Sequence, residues 1–174
     1  MPLQGFTFVL GGAASGKTAF AERLVLSSGL KPVYIATAQA FDSEMQAKID
    51  RHKDDRGTGW RTVEEPVDLA SALSTVSGGE AVLIDCATLW LTNLILGEAD
   101  AAAAEADLLE AVARCPAPVI IVSNEVGAGI VPENALARTF RNAQGKLNQR
   151  LAGQADTVIA VMAGLPLVLK GQLP

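Results

Sequence analysis

The stretch that decides the fold lies near the start of the chain and reads Gly11-Gly12-Ala13-Ala14-Ser15-Gly16-Lys17-Thr18. It matches the phosphate-loop pattern Gly-x-x-x-x-Gly-Lys-[Ser/Thr], in which each part has a physical task. The glycines let the backbone turn several N–H groups toward one phosphate. The ammonium of Lys17 can reach the β- and γ-phosphates, and the hydroxyl of Thr18 can bind Mg²⁺. The motif predicts that these eight residues bind a nucleoside triphosphate, with Lys17 as a catalytic residue.

The segments on either side favour a true phosphate loop over an ordinary glycine-rich turn. Phe6–Leu10 is short, apolar and rich in residues common in strands, which predicts a buried strand. After the loop, Phe20 and Leu24 recur at helical spacing, and Ser27-Ser28-Gly29 supplies a stop. A strand, a glycine loop and a helix therefore follow one another in the order that phosphate binding requires.

The composition of the 174 residues predicts a single domain, residues 1–174, with a buried core. A hydrophobic content of 49% with 19% charged residues excludes a disordered chain. The net charge of −5 argues against a nucleic-acid partner, which would require a basic face. The apolar run Cys86–Leu96 is too short to span a membrane, and the chain starts without the basic segment of a signal peptide. Cys86 and Cys115 form no Cys-x-x-Cys pair, so we expect reduced thiols in a cytoplasmic protein.

Apolar runs of strand length alternate with helical patterns along the chain. The predicted strands are Phe6–Leu10, Pro32–Ala36, Ala81–Asp85, Val119–Ser123, Thr157–Met162 and Leu167–Leu169. The predicted helices are Lys17–Ser27, Asp42–Asp54, Val67–Thr75, Thr88–Ile95, Ala101–Arg114 and Glu133–Leu151. This alternation is typical of a three-layer α/β domain, in which helices cover both faces of a mostly parallel central sheet. Ligands of such sheets bind at the carboxyl ends of the strands, so we expect Thr37, Asp85 and residues 124–127 to lie near the phosphate loop.

Asp85 is the second candidate for the nucleotide site, because it ends the buried run Ala81–Ile84. An acidic residue at the tip of a buried strand accompanies the phosphate loop in many nucleotide-binding proteins, where it holds Mg²⁺ directly or through water. Thr18 and Asp85 are therefore the predicted metal residues. The alternative is that Asp85 caps the helix that follows.

His52 is the only histidine in the chain. In a helix running from Asp42, it shares a face with Lys48 and Arg56 at four-residue spacing. Nearby cations favour a neutral imidazole, which can act as a nucleophile or a base. The residues alone leave open the alternative of a solvated helix face that carries one histidine.

With these segments in order, the chain resembles the family of bifunctional adenosylcobinamide kinases / adenosylcobinamide-phosphate guanylyltransferases of cobalamin assembly. The resemblance spans residues 5 to 170. The matching stretches are the phosphate loop with Ala21-Glu22, Tyr34–Ala38, Asp42–Met45, Ile49–Arg56, Trp60–Glu64, Asn124–Asn134 and Asn148–Ala152.

The resemblance implies a recombinase-type (RecA-like) P-loop NTPase domain that assembles as a homotrimer. It implies that GTP and ATP are substrates with Mg²⁺ as cofactor, and that the acceptor is a corrinoid. In this family the histidine at the place of His52 attacks the α-phosphate of GTP and carries GMP as a phosphoramidate. The residues that match guanine-nucleotide positions are Ala36, Thr37, Ala38, Lys53, Asp54, Asp55, Arg56, Glu64 and Asp85.

The sequence departs from the family pattern at two positions. Family members often have Arg where this chain has Ala14, and many have a second histidine where it has Arg51. The second departure leaves His52 as the only candidate histidine nucleophile. We expect an enzyme that phosphorylates adenosylcobinamide and then transfers GMP to the product. The alternatives are a P-loop small-molecule kinase that lacks the second reaction and a GTP-binding regulatory protein, although the chain has no guanine-reading Asn-Lys-x-Asp motif.

Overall fold

The computed structural model describes residues 3–40, 43, 46, 47, 49, 57 and 59–173, which form an α/β fold. Its elements are β1 (Phe6–Gly11), α1 (Lys17–Ser27), β2 (Lys31–Ala36), β3 (Arg61–Glu64), α2 (Leu69–Ser74), β4 (Glu80–Asp85), α3 (Ala87–Leu96), α4 (Ala101–Arg114), β5 (Val119–Asn124), α5 (Ala135–Gln154), β6 (Thr157–Met162) and β7 (Leu165–Lys170). None of the helices in these residues combines the length and the apolar character needed to cross a membrane.

A seven-stranded sheet with the order β3-β2-β4-β5-β1-β6-β7 forms the centre of the fold. Neighbouring strands run parallel, except that β7 pairs with β6 in the antiparallel sense. Strand β5 lies between β1 and β4, with Asn124 opposite Gly11 and Val122 opposite Asp85. The carboxyl ends of these three strands therefore lie side by side, and the phosphate loop starts at one of them.

Helices cover both faces of the sheet, as the sequence predicts. On one face, α1 packs Phe20 and Leu24 into an apolar cluster with Val122 of β5. On the other face, helices α2 to α5 share a larger cluster in which Trp90 and Leu147 are almost fully buried. Continuous Val, Ile and Leu runs buried on both faces are typical of parallel strands whose connecting helices cover the sheet.

Short polar side chains fix where three helices start. Asp68 accepts a hydrogen bond from the N–H of Ser71 before α2, and Asp100 accepts two from the first turn of α4. Asn134 accepts one from the N–H of Ala137 in α5. Each side chain satisfies N–H groups that have no partner within the helix, a contribution of about 1 kcal/mol per cap.

The predicted strands and helices coincide with observed elements to within a few residues, with two differences. No strand is predicted over Arg61–Glu64, because β3 is a four-residue edge strand whose residues are mostly exposed. The predicted helix over Asp42–Asp54 lies largely outside the described residues, although Ser43, Gln46 and Ile49 within it are helical.

Candidate active site

The phosphate loop joins the end of β1 to the start of α1 at the centre of the sheet. Gly16 adopts φ 88° and ψ 8°, in the left-handed region that favours glycine, immediately before the first helical residue. The loop is held from the opposite side by the β6–β7 turn, where the N–H of Gly164 donates to the carbonyl of Ser15 at 2.8 Å. A Cβ on Gly16 would lie 3.1 Å from Cα of Gly164. Glycine at position 16 thus permits both the turn and the close approach of the two backbones.

Gly11 is required for a different reason. A Cβ at this position would lie 2.4 Å from Oγ of Ser15 and 2.7 Å from the carbonyl oxygen of Val161. Strand β1 is paired on both sides, by β5 and β6, so it cannot shift to relieve the contact. The first glycine of the motif therefore lets the loop fold back over the sheet.

Lys17 lies over the loop that it follows. Its Nζ donates to the carbonyl of Gly12 at 3.0 Å, which places the ammonium across the concave side of the loop. The first N–H groups of α1 open toward the same region, because the first turn of a helix has no internal acceptors. A positive side chain and the positive end of a helix thus converge where a phosphate would bind.

Thr18 and Asp85, far apart in the sequence, are in direct contact. The hydroxyl of Thr18 donates to Oδ2 of Asp85 at 3.0 Å, although 67 residues separate them in the chain. The alternative that Asp85 caps α3 is wrong, since Cys86 is the N-cap residue and its Sγ accepts from the N–H of Leu89. A hydroxyl and a carboxylate beside a phosphate loop are hard oxygen donors of the type that Mg²⁺ prefers, so the residues present fit this metal.

Three of the predicted nucleotide residues lie level with one another at the carboxyl edge. Ala36 of β2 pairs with Glu64 of β3 on one side and with Asp85 of β4 on the other. Ala36 and Asp85 are half-buried, whereas Glu64 is exposed. Although β3 itself is not predicted from the sequence, its pairing places Glu64 beside the other two.

Thr37 is buried and all its polar groups have protein partners. Its hydroxyl both accepts from the N–H and donates to the carbonyl of Cys86, each at 2.8 Å. Its N–H donates to the carbonyl of Asp85 at 3.2 Å, and its carbonyl accepts from the side chain of Asn93 at 2.8 Å. Thr37 therefore ties the end of β2 to the backbone around Asp85, and half-buried Ala38 follows it.

Burial also determines the chemistry of Cys86. The thiol is enclosed among apolar residues, and this loss of solvation, followed by the neighbouring negative charge of Asp85, raises its pKa to about 11. A thiol that holds its proton so tightly is a weak nucleophile at neutral pH. Cys86 therefore serves as a small buried residue and helix cap beside the site.

The end of β5 is fixed by side chains from two helices. The N–H of Asn124 donates to the hydroxyl of Thr88 at 2.8 Å, and its carbonyl accepts from Asn148 at 3.1 Å. The next N–H, of Glu125, donates to the carbonyl of Gly11 at 3.0 Å. The structure thus brings the start of the predicted segment 124–127 into direct contact with the phosphate loop.

Comparison with known proteins identifies the family to which the chain belongs. A family model described as cobinamide kinase / cobinamide phosphate guanyltransferase, CobU, matches residues 7–169. The chain belongs to the CobU family. It is 46% identical to the bifunctional adenosylcobalamin biosynthesis protein CobP of Pseudomonas aeruginosa, covering 94% of this chain and 96% of the relative. It is 43% identical to the bifunctional adenosylcobalamin biosynthesis protein CobU of Salmonella typhimurium, covering 93% and 98%.

Solved structures at low identity share the fold of this CobU-family chain. The RadB recombinase superposes with a TM-score of 0.54 at 20% identity, covering 90% of this chain and 73% of the recombinase. A prototypical ATPase from the type III secretion system of pathogenic bacteria superposes with a TM-score of 0.55 at 11% identity, covering 94% of this chain and 56% of the ATPase. The prediction of a RecA-like P-loop fold is therefore confirmed.

Part of the site predicted for this CobU-family chain lies outside the described residues. This part comprises the proposed nucleophile His52 and the adjoining Lys53, Asp54, Asp55 and Arg56. Among the described residues, the sequence patterns do not indicate Tyr34, whose hydroxyl donates to Oδ2 of Asp85 at 2.9 Å. The tyrosine occurs in a stretch that matches the family, but no pattern in the sequence indicates where its hydroxyl lies.

Proposed function

We propose that this chain catalyses two successive reactions on one corrinoid. The first is phosphorylation of adenosylcobinamide by ATP or GTP, and the second is transfer of GMP from GTP to adenosylcobinamide phosphate. The observation that carries the proposal is the contact between Thr18 and Asp85 beside the phosphate loop, in a chain that belongs to the CobU family. A member of this family with an intact phosphate-loop site can bind the nucleoside triphosphates that both reactions consume.

In the kinase reaction, the terminal hydroxyl of the aminopropanol arm attacks the γ-phosphorus of the nucleotide. An oxygen–phosphorus bond forms, the bond to the β–γ bridging oxygen breaks, and the nucleoside diphosphate and the hydroxyl proton leave. Lys17 and the backbone N–H groups of residues 11–18 hold the phosphates and stabilise the charge that moves to the bridging oxygen. Mg²⁺ bound by Thr18 and Asp85 would supply further neutralisation of the phosphate oxygens.

In the guanylyl transfer, the imidazole of His52 attacks the α-phosphorus of GTP. A nitrogen–phosphorus bond forms and pyrophosphate leaves, so that GMP is attached to His52 as a phosphoramidate. A phosphate oxygen of adenosylcobinamide phosphate then attacks the same phosphorus, and the histidine leaves. The products are adenosylcobinamide-GDP and free enzyme, and the covalent intermediate divides one difficult substitution into two easier ones.

The remaining assignments complete the proposal. Ala36, Glu64 and Asp85 frame the nucleotide at the carboxyl edge, and Thr37 anchors the backbone of residues 36–38 there. Lys53, Asp54, Asp55 and Arg56 are assigned to the guanine nucleotide by the resemblance alone. By the same resemblance the protein acts as a homotrimer, and its two unpaired cysteines support a cytoplasmic location.

The decisive test uses GTP labelled at the α-phosphate. We expect protein-bound label after denaturation, stable in base and lost in acid, as a phosphoramidate requires. GTP labelled at the γ-phosphate serves as the parallel control and leaves no label, because that group departs in pyrophosphate. The variant His52→Ala should retain no α-label.

The outcomes separate the alternatives. A native protein that phosphorylates adenosylcobinamide without retaining α-label would be a small-molecule kinase, and the guanylyl-transfer proposal would be wrong. A protein that binds GTP and converts neither substrate would be a regulatory GTP-binding protein. Label that persists in His52→Ala would exclude His52 as the nucleophile.

A further inference from the structure

The carboxylate of Asp85 accepts a second hydrogen bond that the phosphate-loop pattern does not predict. The hydroxyl of Tyr34 donates to Oδ2 of Asp85 at 2.9 Å, and the hydroxyl of Thr18 donates to the same oxygen at 3.0 Å. Two donors from different elements, β2 and α1, thus hold one carboxylate oxygen. Two hydrogen bonds to Oδ2 restrict rotation of the carboxylate and thereby restrict the direction of the second oxygen, Oδ1.

The tyrosine ring is itself held in place. Tyr34 lies on β2, next to β4, and is 6% exposed. Trp60 packs against it in a perpendicular arrangement, with 5.9 Å between the ring centroids. Strand pairing places Tyr34 opposite Leu83, two residues before Asp85, so both side chains emerge on the face covered by α1. The position of the phenol oxygen therefore follows from the sheet and not from a mobile loop.

We propose that Tyr34 is a positioning residue that orients the carboxylate of Asp85 for Mg²⁺. This inference rests on the proposed function, because it concerns the same metal site. Mg²⁺ demands nearly ideal octahedral geometry, whereas Ca²⁺ tolerates a flexible set of oxygen ligands. A carboxylate fixed by two donors meets the demand of Mg²⁺ without first losing rotational freedom. Removal of the tyrosine hydroxyl should therefore weaken Mg²⁺ binding more than Ca²⁺ binding.

A purely structural role for the same hydrogen bond makes a different prediction. A buried tyrosine hydroxyl usually finds a partner, and its loss lowers stability in any protein. In that case Tyr34→Phe would lower the melting temperature and leave the preference between the two metals unchanged. The preference for Mg²⁺ over Ca²⁺ is therefore the measurement that separates positioning from packing.

The experiment measures nucleotide binding by calorimetry with Mg²⁺, with Ca²⁺ and with EDTA. All proteins carry His52→Ala, so that GTP is not consumed by the proposed nucleophile. The quantity compared is the gain in GTP affinity with a metal ion over the affinity in EDTA. In Tyr34→Phe, which keeps the ring against Trp60, we expect the gain produced by Mg²⁺ to fall about tenfold. The gain produced by Ca²⁺ should change less than about threefold.

Two further variants make the result specific. Thr7→Val removes another buried hydroxyl, which lies on β1 and has no hydrogen-bond partner in the described structure, and should leave both gains unchanged. Asp85→Asn tests the route of the effect. If Tyr34 acts through Asp85, Tyr34→Phe should have no additional effect on metal dependence in the Asp85→Asn background.

The possible failures are distinct. If the parent protein binds GTP no better with Mg²⁺ than with EDTA, the proposed metal site itself is wrong. If the parent shows the Mg²⁺ gain and Tyr34→Phe retains it in full, the role of Tyr34 is wrong and the proposed function stands. An equal loss of the Mg²⁺ and Ca²⁺ gains would also overturn the positioning role.

Discussion

The substitution Gly11→Ala gives the sharpest test of how the phosphate loop is built. The new Cβ would lie 2.7 Å from the carbonyl oxygen of Val161 and 2.4 Å from Oγ of Ser15. The serine side chain can rotate away, but the carbonyl belongs to β6, which is paired with β1 along its length. Forced contacts of this kind cost about 1–3 kcal/mol.

The control is the neighbouring glycine. A Cβ on Gly12 would meet no atom within 4 Å, and Gly12 is not in the left-handed region. Both substitutions reduce the freedom of the unfolded chain by the same amount, so their difference isolates the clash. At about 2–4 °C per kcal/mol for a protein of this size, Gly11→Ala should melt about 2–12 °C below Gly12→Ala.

The assay is thermal unfolding of the ligand-free proteins, followed by circular dichroism and repeated in urea. Gly12→Ala should be as stable as the parent protein or up to about 1 kcal/mol more stable. If the two variants unfolded at the same temperature and urea concentration, the clash at position 11 would be refuted, because the only effect that both substitutions share is on the unfolded chain.

Three further predictions concern charge, thiol chemistry and buried polar contacts. The pKa of Glu80 is lowered, chiefly by the hydrogen bond from the N–H of Ser77, so the ionised carboxylate stabilises the fold above the ordinary pKa of 4.5 and this contribution is lost as the pH falls through the lowered pKa. The native protein should therefore be more stable than Glu80→Gln at neutral pH, and this difference in the free energy of unfolding should vanish in acid. A difference that does not depend on pH would contradict the prediction. Burial raises the pKa of Cys86 to about 11, so Ellman's reagent should leave Cys86 unreacted in the native protein at about pH 8. In urea the reagent should react with both Cys86 and Cys115. Fast reaction of two thiols in the native protein would contradict the burial of Cys86. The side chain of Asn148 accepts from Ser123 and Gln144 and donates to the carbonyl of Asn124 at the end of β5. Asn148→Leu removes all three hydrogen bonds and should lower the free energy of unfolding by about 1–3 kcal/mol, measured in urea. A change below about 0.5 kcal/mol would show that the network contributes little.

The layered fold could be predicted because its central strands are continuous apolar runs. Val119–Asn124 illustrates this: the first five residues are buried, and such a run has few alternatives once helical patterns flank it. Strand β3 could not be predicted in the same way, because one partly buried valine among three exposed residues gives no periodic signal. Its existence depends on pairing with β2, which is a tertiary interaction.

The candidate site also has residues that local sequence patterns predict and a contact that they do not. Lys17, Thr18 and Asp85 could be predicted because local patterns, a glycine loop and an acidic strand end, indicate their roles before any contact is known. The contact between Tyr34 and Asp85 depends on the order and register of β2 and β4, which local patterns in the sequence do not indicate. His52 lies outside the described residues, so its role remains a prediction from the resemblance.

The turn that supports the phosphate loop has a consequence for synthesis on the ribosome. The loop occupies residues 11–18, but β1 needs β5 and β6 as neighbours, and Ser15 is held by Gly164. A nascent chain that has been made only as far as Arg150 exposes the complete motif without the strand and turn that shape it. Nucleotide binding should therefore be acquired only after the β6–β7 turn has been synthesised, since these long-range contacts cannot form earlier.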